Sequence, residues 1–147
     1  MIEVILVDES DMPVGRMEKL AVHQQGLLHR AISVYVFNDH QELLLQRRAV
    51  GKYHAGGQWS NTCCGHPFPG EDTQEAAMRR LYQEMGMACA LHESFELSYR
   101  LDVGGGLIEH ELAHVFIGHS NVVSQLNSEE ADAFAYHPMR KLLSKWH

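Results

Sequence analysis

The chain has 147 residues, 45% of them apolar, which is enough for one domain with a proper core. Its net charge of −7 argues against nucleic acid as a partner, and no apolar run is long enough to span a membrane. The N-terminus lacks a signal-peptide pattern and the three cysteines cannot all pair, so a reduced, cytoplasmic setting is expected. The 11 histidines turn attention to metal ligands.

Ile2 to Val7 reads as a strand and Asp8 to Pro13 as a turn. Lys19, His23 and His29 follow. Each histidine alone is an ordinary loop residue; as a pair ahead of a third candidate, His66, they gain weight as ligands. Ala31 to Phe37 alternates and is β-branched, Asn38 to Gln41 is a turn, and Glu42 to Gln46 returns, which predicts a hairpin. Arg47 to Gly57 is a basic, glycine-bearing loop with Arg47, Arg48 and Lys52 in an otherwise acidic chain. It is either a solvated charged loop or an anion clamp, since Arg and Lys suit phosphate oxygens. Trp59 to Pro67, W-S-N-T-C-C-G-H-P, then leads to a helix. Within it Cys64 has a better claim to chemistry than Cys63 or Cys89, because His66 stands two residues on. A nearby metal or cation would favour its thiolate.

The helix lies in the stretch from Gly65 to Met87. Asp72 or Thr73 can cap its start, with Glu75 placed for a capping box, and Gly86 can end it in a left-handed conformation. Met78, Leu81 and Met85 form an apolar stripe at helical spacing. Arg80 and Glu84 are four apart on one flank, a pairing that suits either a phosphate-bound metal or a plain surface salt bridge. Leu91 to Val103 and Leu107 to His119 read as long strands joined by Gly104 to Gly106. Leu107, Glu109, Glu111, Ala113, Val115 and Ile117 share one face of the second. Two carboxylates on an apolar face need a partner, and a metal is a natural one. A symmetric hairpin sets Tyr99 about opposite Glu111. His110 and His114 fall on the other face and read as structural or exposed, not as ligands. Asn127 to Asp132 is an acidic loop, Ala133 to His137 a short strand and Pro138 to Lys145 a final helix.

The stretch from Gly65 resembles the Nudix signature: Gly65, Glu71, Arg79, Leu81, Glu84, Gly86 and Met87 match it. Arg80 and Gln83 stand where that signature has glutamates, and those glutamates hold the metals that activate water in Nudix hydrolases. Diphosphate binding through a remaining Glu and a metal survives the change. Combined with R-R-A-x-G-K-Y, W-S-N-T-C-C-G-H-P and Y-R-x-D…E-H-E, the pattern is similar to the type I isopentenyl-diphosphate isomerase family from about Val4 to Tyr136.

The resemblance implies a Nudix α/β/α sandwich with a mixed, largely antiparallel sheet, a single domain over residues 1–147, C-terminally short for the family. It implies a divalent metal (Mn, Mg or Zn) on His23, His29, His66, Glu109 and Glu111, and Mg2+ with the substrate diphosphate on Glu84. Cys64 and Glu111, helped by Tyr99, become the catalytic groups; Lys19, Arg48, Lys52 and Arg80 bind the diphosphate. The substrate is then a small isoprenoid diphosphate, the reaction its double-bond isomerisation, and the protein a monomer. In the family a further tryptophan-bearing segment covers the alkene, whereas here the sequence stops at Lys145-Trp146-His147, and Trp146 is expected to anchor the last helix. A Nudix pyrophosphohydrolase and a non-catalytic metal-binding relative are the rival expectations.

Overall fold

The computed structural model describes residues 2–48, 59–121 and 131–138. In chain order they form β1 (Glu3–Val7), β2 (Pro13–Glu18), α1 (Lys19–Gln25), β3 (His29–Phe37), β4 (Glu42–Arg48), β5 (Trp59–Ser60) and β6 (Cys63–Gly65). Then come α2 (Thr73–Met85), β7 (Leu91–Gly104), β8 (Leu107–His119) and β9 (Ala131–Pro138).

One mixed sheet takes in every strand, and β3 is its centre. Ile32, Val34 and Val36 of β3 are fully buried, as the β-branched alternation predicts. β3 runs parallel to β8 from His29↔Glu111 to Phe37↔His119. It runs antiparallel to β6, with Ser33↔Cys64 in register, and meets β1 and β4 at its two ends. β7 pairs with β8 with Tyr99 opposite Glu111, as a symmetric hairpin requires; bulges at Glu93/Phe95 and Asp102/Gly104 leave that register intact. β9 pairs with β4 and takes in the predicted short strand. The predicted final helix beyond Pro138, with Trp146, lies outside the described residues, as does most of the basic loop, including Lys52.

Asp72 caps α2: its carboxylate accepts from the N–H groups of Gln74 (3.1 Å) and Glu75 (3.4 Å). Gly86 ends it at φ 62°, in the left-handed conformation expected. The predicted stripe needs one correction. Met78 is 45% exposed, and the buried face is Ala76, Ala77, Leu81, Glu84 and Met85. The two alanines let the helix lie close to the sheet, where Leu81 and Met85 join Ile32, Val34, Cys63 and Phe116. Burial of each of these large side chains stabilises the fold by roughly 1.5–3 kcal/mol.

Four elements were not anticipated: β2, α1 and the short strands β5 and β6. β2 is mostly exposed and exists by pairing with β1. α1 has only 7 residues; the Glu18 carboxylate caps it through Leu20 N–H, and Gly26 closes it at φ 68°.

Candidate active site

α1 buries His23 in the apolar interior beside Val22, and β3 begins with His29, which is also fully buried. The N–H at Nδ1 of His23 donates to the Lys19 carbonyl at 2.8 Å, and that of His29 donates to the Leu27 carbonyl at 2.9 Å. A carbonyl only accepts, so each neutral ring carries its proton on Nδ1 and turns a bare Nε2 inward. His66, after β6, completes a triangle of rings with centroids 5.0–5.8 Å apart.

Glu111 of β8 faces this triangle. Its Oε2 lies 3.0 Å from His66 Nε2 and 3.3 Å from His29 Nε2, and the latter nitrogen meets no hydrogen-bond geometry. One ligand atom from each of His23, His29, His66 and Glu111 lies within 4.8 Å of the others. A carboxylate crowded by inward-facing imidazole nitrogens is the donor set of a divalent metal, so these four residues fit one. Glu109, two residues earlier on the same face, falls outside that cluster; its Oε1 is 3.5 Å from the Tyr99 hydroxyl. The same hydroxyl donates to Glu111 Oε1 at 2.7 Å.

These contacts set the charge states. Burial opposes ionisation of Glu111, but the imidazoles of His29 and His66 outweigh it and hold the carboxyl well below its usual range. Burial depresses His23, and it pushes His66 down to about 4 despite the adjacent carboxylate, so both rings are neutral near pH 7. Burial and then the charge of Glu111 raise Tyr99 far above the ordinary phenol value. It therefore stays a proton donor.

Cys64 sits on β6 beside Ser33. Its S–H donates to Asn61 Oδ1 at 3.1 Å, and the Ser33 hydroxyl lies 3.7 Å from the sulfur. Asn61 cannot turn: its Nδ2 donates to the Val34 and Cys63 carbonyls at 2.9 and 3.0 Å. Burial, followed by the charge of Glu84, pushes the thiol up to about 12. Burial first, and the carboxylates of Glu84 and Glu111 after it, thus favour the neutral thiol among these side chains.

On α2, Arg80 Nη2 donates to Glu84 Oε1 at 2.7 Å, and Gln46 Nε2 donates to Glu84 Oε2 at 3.0 Å. Glu84 is 2% exposed, so this is no surface salt bridge. Gly65 is required by this approach: a Cβ there would lie 2.6 Å from Arg80 Cγ. Behind it, Arg79 grips Glu71 with Nε and Nη2, both at 2.9 Å, and reaches the His66 carbonyl at 3.2 Å.

A cavity of about 780 Å3 gathers Lys19, His23, Cys64, His66, Arg80, Glu84, Tyr99, Glu109 and Glu111. His29 stands behind it. Arg48 lies on β4, and the placement of its side chain is outside the description. Asn61 and Gln46 were missed as site residues. Asn61 stood in the quoted W-S-N-T-C-C run, and Gln46 was the polar end of the apolar run Leu43–Leu45.

The sheet, the capped α2 and the carboxylate above it define a Nudix-type domain, and the NUDIX domain family matches residues 27–147. Solved structures agree on the fold. DR0079 from Deinococcus radiodurans superposes with a TM-score of 0.81 at 17% identity, over 98% of this chain and 88% of that one. A MutT protein from Methanosarcina mazei gives 0.69 at 20% identity, over 80% and 81%. Sequence relatives narrow the class. The isopentenyl-diphosphate Delta-isomerase of Pectobacterium atrosepticum is 55% identical over 97% of this chain and 80% of its own length. That of Serratia proteamaculans is 45% identical over 95% and 78%. The chain belongs to the isopentenyl-diphosphate Delta-isomerase family of NUDIX proteins.

Proposed function

We propose that this protein interconverts isopentenyl diphosphate and dimethylallyl diphosphate. One observation carries this: a single cavity joins the His/Glu cluster, the Cys64 thiol and the Arg80–Glu84 pair. Moving the double bond adds a proton to the terminal alkene carbon and removes one from the neighbouring CH2. Two proton-handling groups are therefore needed, along with an anchor for the diphosphate.

Cys64 and Glu111 are the two proton-handling groups. The S–H held by Asn61 is loaded with a proton, and the Glu111 carboxylate is free of one. Each turnover moves one proton onto the substrate and one off it, so the two groups exchange states and the reaction is reversible by the same path. Tyr99 keeps its own proton and steadies Glu111 through the 2.7 Å bond. His23, His29, His66 and Glu111 would hold a divalent ion, Mn2+, Mg2+ or Zn2+, with Glu109 two residues away on the same strand face as the expected fifth ligand. When bound, the ion withdraws electron density from Glu111 and makes its protonated form a stronger acid. Lys19, Arg48, Lys52 and Arg80 bind the diphosphate, with Glu84 serving a Mg2+ ion on its oxygens. Phe95, Leu97 and Val115 line the same cavity and suit the alkenyl tail.

Among the described residues no helix is long and apolar enough to cross a membrane. The further reading, of a single-domain, monomeric, cytoplasmic enzyme, rests on the sequence alone. The test is incubation with isopentenyl diphosphate and a divalent metal. Formation of dimethylallyl diphosphate supports the assignment; phosphate release without isomerisation transfers the chain to the hydrolases, and neither product marks a non-catalytic relative.

A further inference from the structure

The face of the β7–β8 hairpin turned away from Tyr99 and Glu111 holds a second set of ligating side chains. At its centre is His114, whose side chain is only 7% exposed. Glu96 stands directly opposite it in register, and Glu93 reaches it from two pairs further along, across the bulge. Asp11 arrives from the β1–β2 turn, where it adopts φ 63°, a conformation unusual outside glycine. Arg30 holds it there, with Nε 2.8 Å from Asp11 Oδ1 and Nη2 2.6 Å from its carbonyl oxygen.

Three carboxylates converge on one imidazole. Asp11 Oδ2 is 2.8 Å from His114 Nε2, Glu93 Oε1 is 3.0 Å from Nδ1, and Glu96 Oε1 is 3.7 Å from Nδ1. Three carboxylates face one guanidinium and one imidazole. Even with the ring doubly protonated, one negative charge is left over; with the ring neutral, two are. A buried imidazole among surplus carboxylates is electrostatically unfinished.

We propose that Asp11, Glu96 and His114, with Glu93 in reach, form a second divalent-cation site. One ligand atom from each of the first three lies within 4.8 Å of the others. A mixed nitrogen and oxygen set selects an ion of the Zn2+ or Mn2+ type over Ca2+, which prefers oxygen alone. None of the four residues lines the catalytic cavity. The Glu93 and Glu96 side chains are 40% and 51% exposed, which gives an ion its entry path. Bound there, the ion ties the β1–β2 turn to the hairpin that carries Tyr99 and Glu111 on its other side. Ordinary pairing of a doubly protonated His114 with the same carboxylates is the competing account.

The test is equilibrium dialysis of chelator-treated protein against Zn2+, and separately Mn2+, with elemental analysis of the retained metal and thermal unfolding of the same samples. Wild type is expected to hold two equivalents per chain, and H114Q one. E96Q changes an exposed carboxylate and preserves the fold; it should weaken the second equivalent by more than the ~10–100-fold typical of an outer-shell partner. Saturating metal should also raise the unfolding temperature of wild type more than that of E96Q. Equal metal retention by wild type and H114Q, together with equal affinity in wild type and E96Q, would overturn the proposal in favour of the protonated clasp. The count concerns metal alone, so it stands apart from whether the enzyme isomerises its substrate.

Discussion

Cys64 keeps its proton because its surroundings are negative and dry, and Asn61 dictates where that proton points. Cys64→Ala should lower kcat by about 10²–10⁴-fold, the usual span for a positioned proton carrier. Circular dichroism should show the fold intact. Cys63→Ala, in the core, should cost stability of about 1 kcal/mol and leave turnover; Cys89→Ala should leave both. If Cys63→Ala is the inactive variant instead, the β3–β6 register assigned here is wrong. Glu71 offers a pH test. Burial works against its charge, but the Arg79 fork outweighs this and sets the folded pKa below the ordinary 4.5. The pair therefore stabilises the fold above the unfolded pKa, and its contribution vanishes as pH falls through the folded one. Glu71→Gln should flatten the stability-against-pH curve on the acid side of 4.5, measured by urea unfolding at a series of pH values. At this scale the cysteine was legible because its motif is dense. Asn61 was not, because what fixes its amide is a pair of carbonyls, on Val34 and Cys63, and no side-chain pattern records them.

Elements whose faces differ sharply announce themselves in sequence. The β7–β8 hairpin did so, since alternation put Glu109 and Glu111 on one side and three glycines marked the turn. α2 did so through its cap and its left-handed Gly86. β2 and α1 did not. β2 has no buried face to alternate, and in α1 only Val22 and His23 are buried, too few to show a helical period. That concealed why His23 is a ligand candidate at all: a helix of only about two turns presents it. The close passage of α2 over β6 gives a further prediction. Gly65→Ala would drive a methyl into Arg80 Cγ, and the guanidinium would have to leave its 2.7 Å contact with Glu84. With Arg80 as the proposed diphosphate anchor, substrate binding should suffer first, KM rising by about tenfold or more, as for loss of a charge-assisted contact. Steady-state kinetics with the unfolding temperature measured in parallel checks this; a fall in kcat at constant KM would count against Arg80 as the anchor.

Across the whole molecule, the fold class followed from the order of motifs, and the cavity from the way β3 gathers its neighbours. The cluster of His23, His29, His66 and Glu111 should make the protein respond to chelation. A ligand at 100 times its Kd stabilises the native state by about 2.7 kcal/mol. Removing metal with a chelator should accordingly lower the unfolding temperature by several degrees, and restoring it should reverse the change; an unaltered temperature would argue against occupancy. The central position of β3 also has a kinetic consequence. Cys64 reaches its partner Ser33 across 31 residues of chain, and Glu111 reaches His66 across 45. Such closures are late events, since their entropy must be spent before the distant pairing returns anything. If the ligands are still apart in the transition state for folding, metal in the refolding buffer should leave the folding limb of a chevron plot in place. It should slow the unfolding limb instead. The bound ion then acts as a lock on an assembled protein, lengthening its lifetime without helping it form.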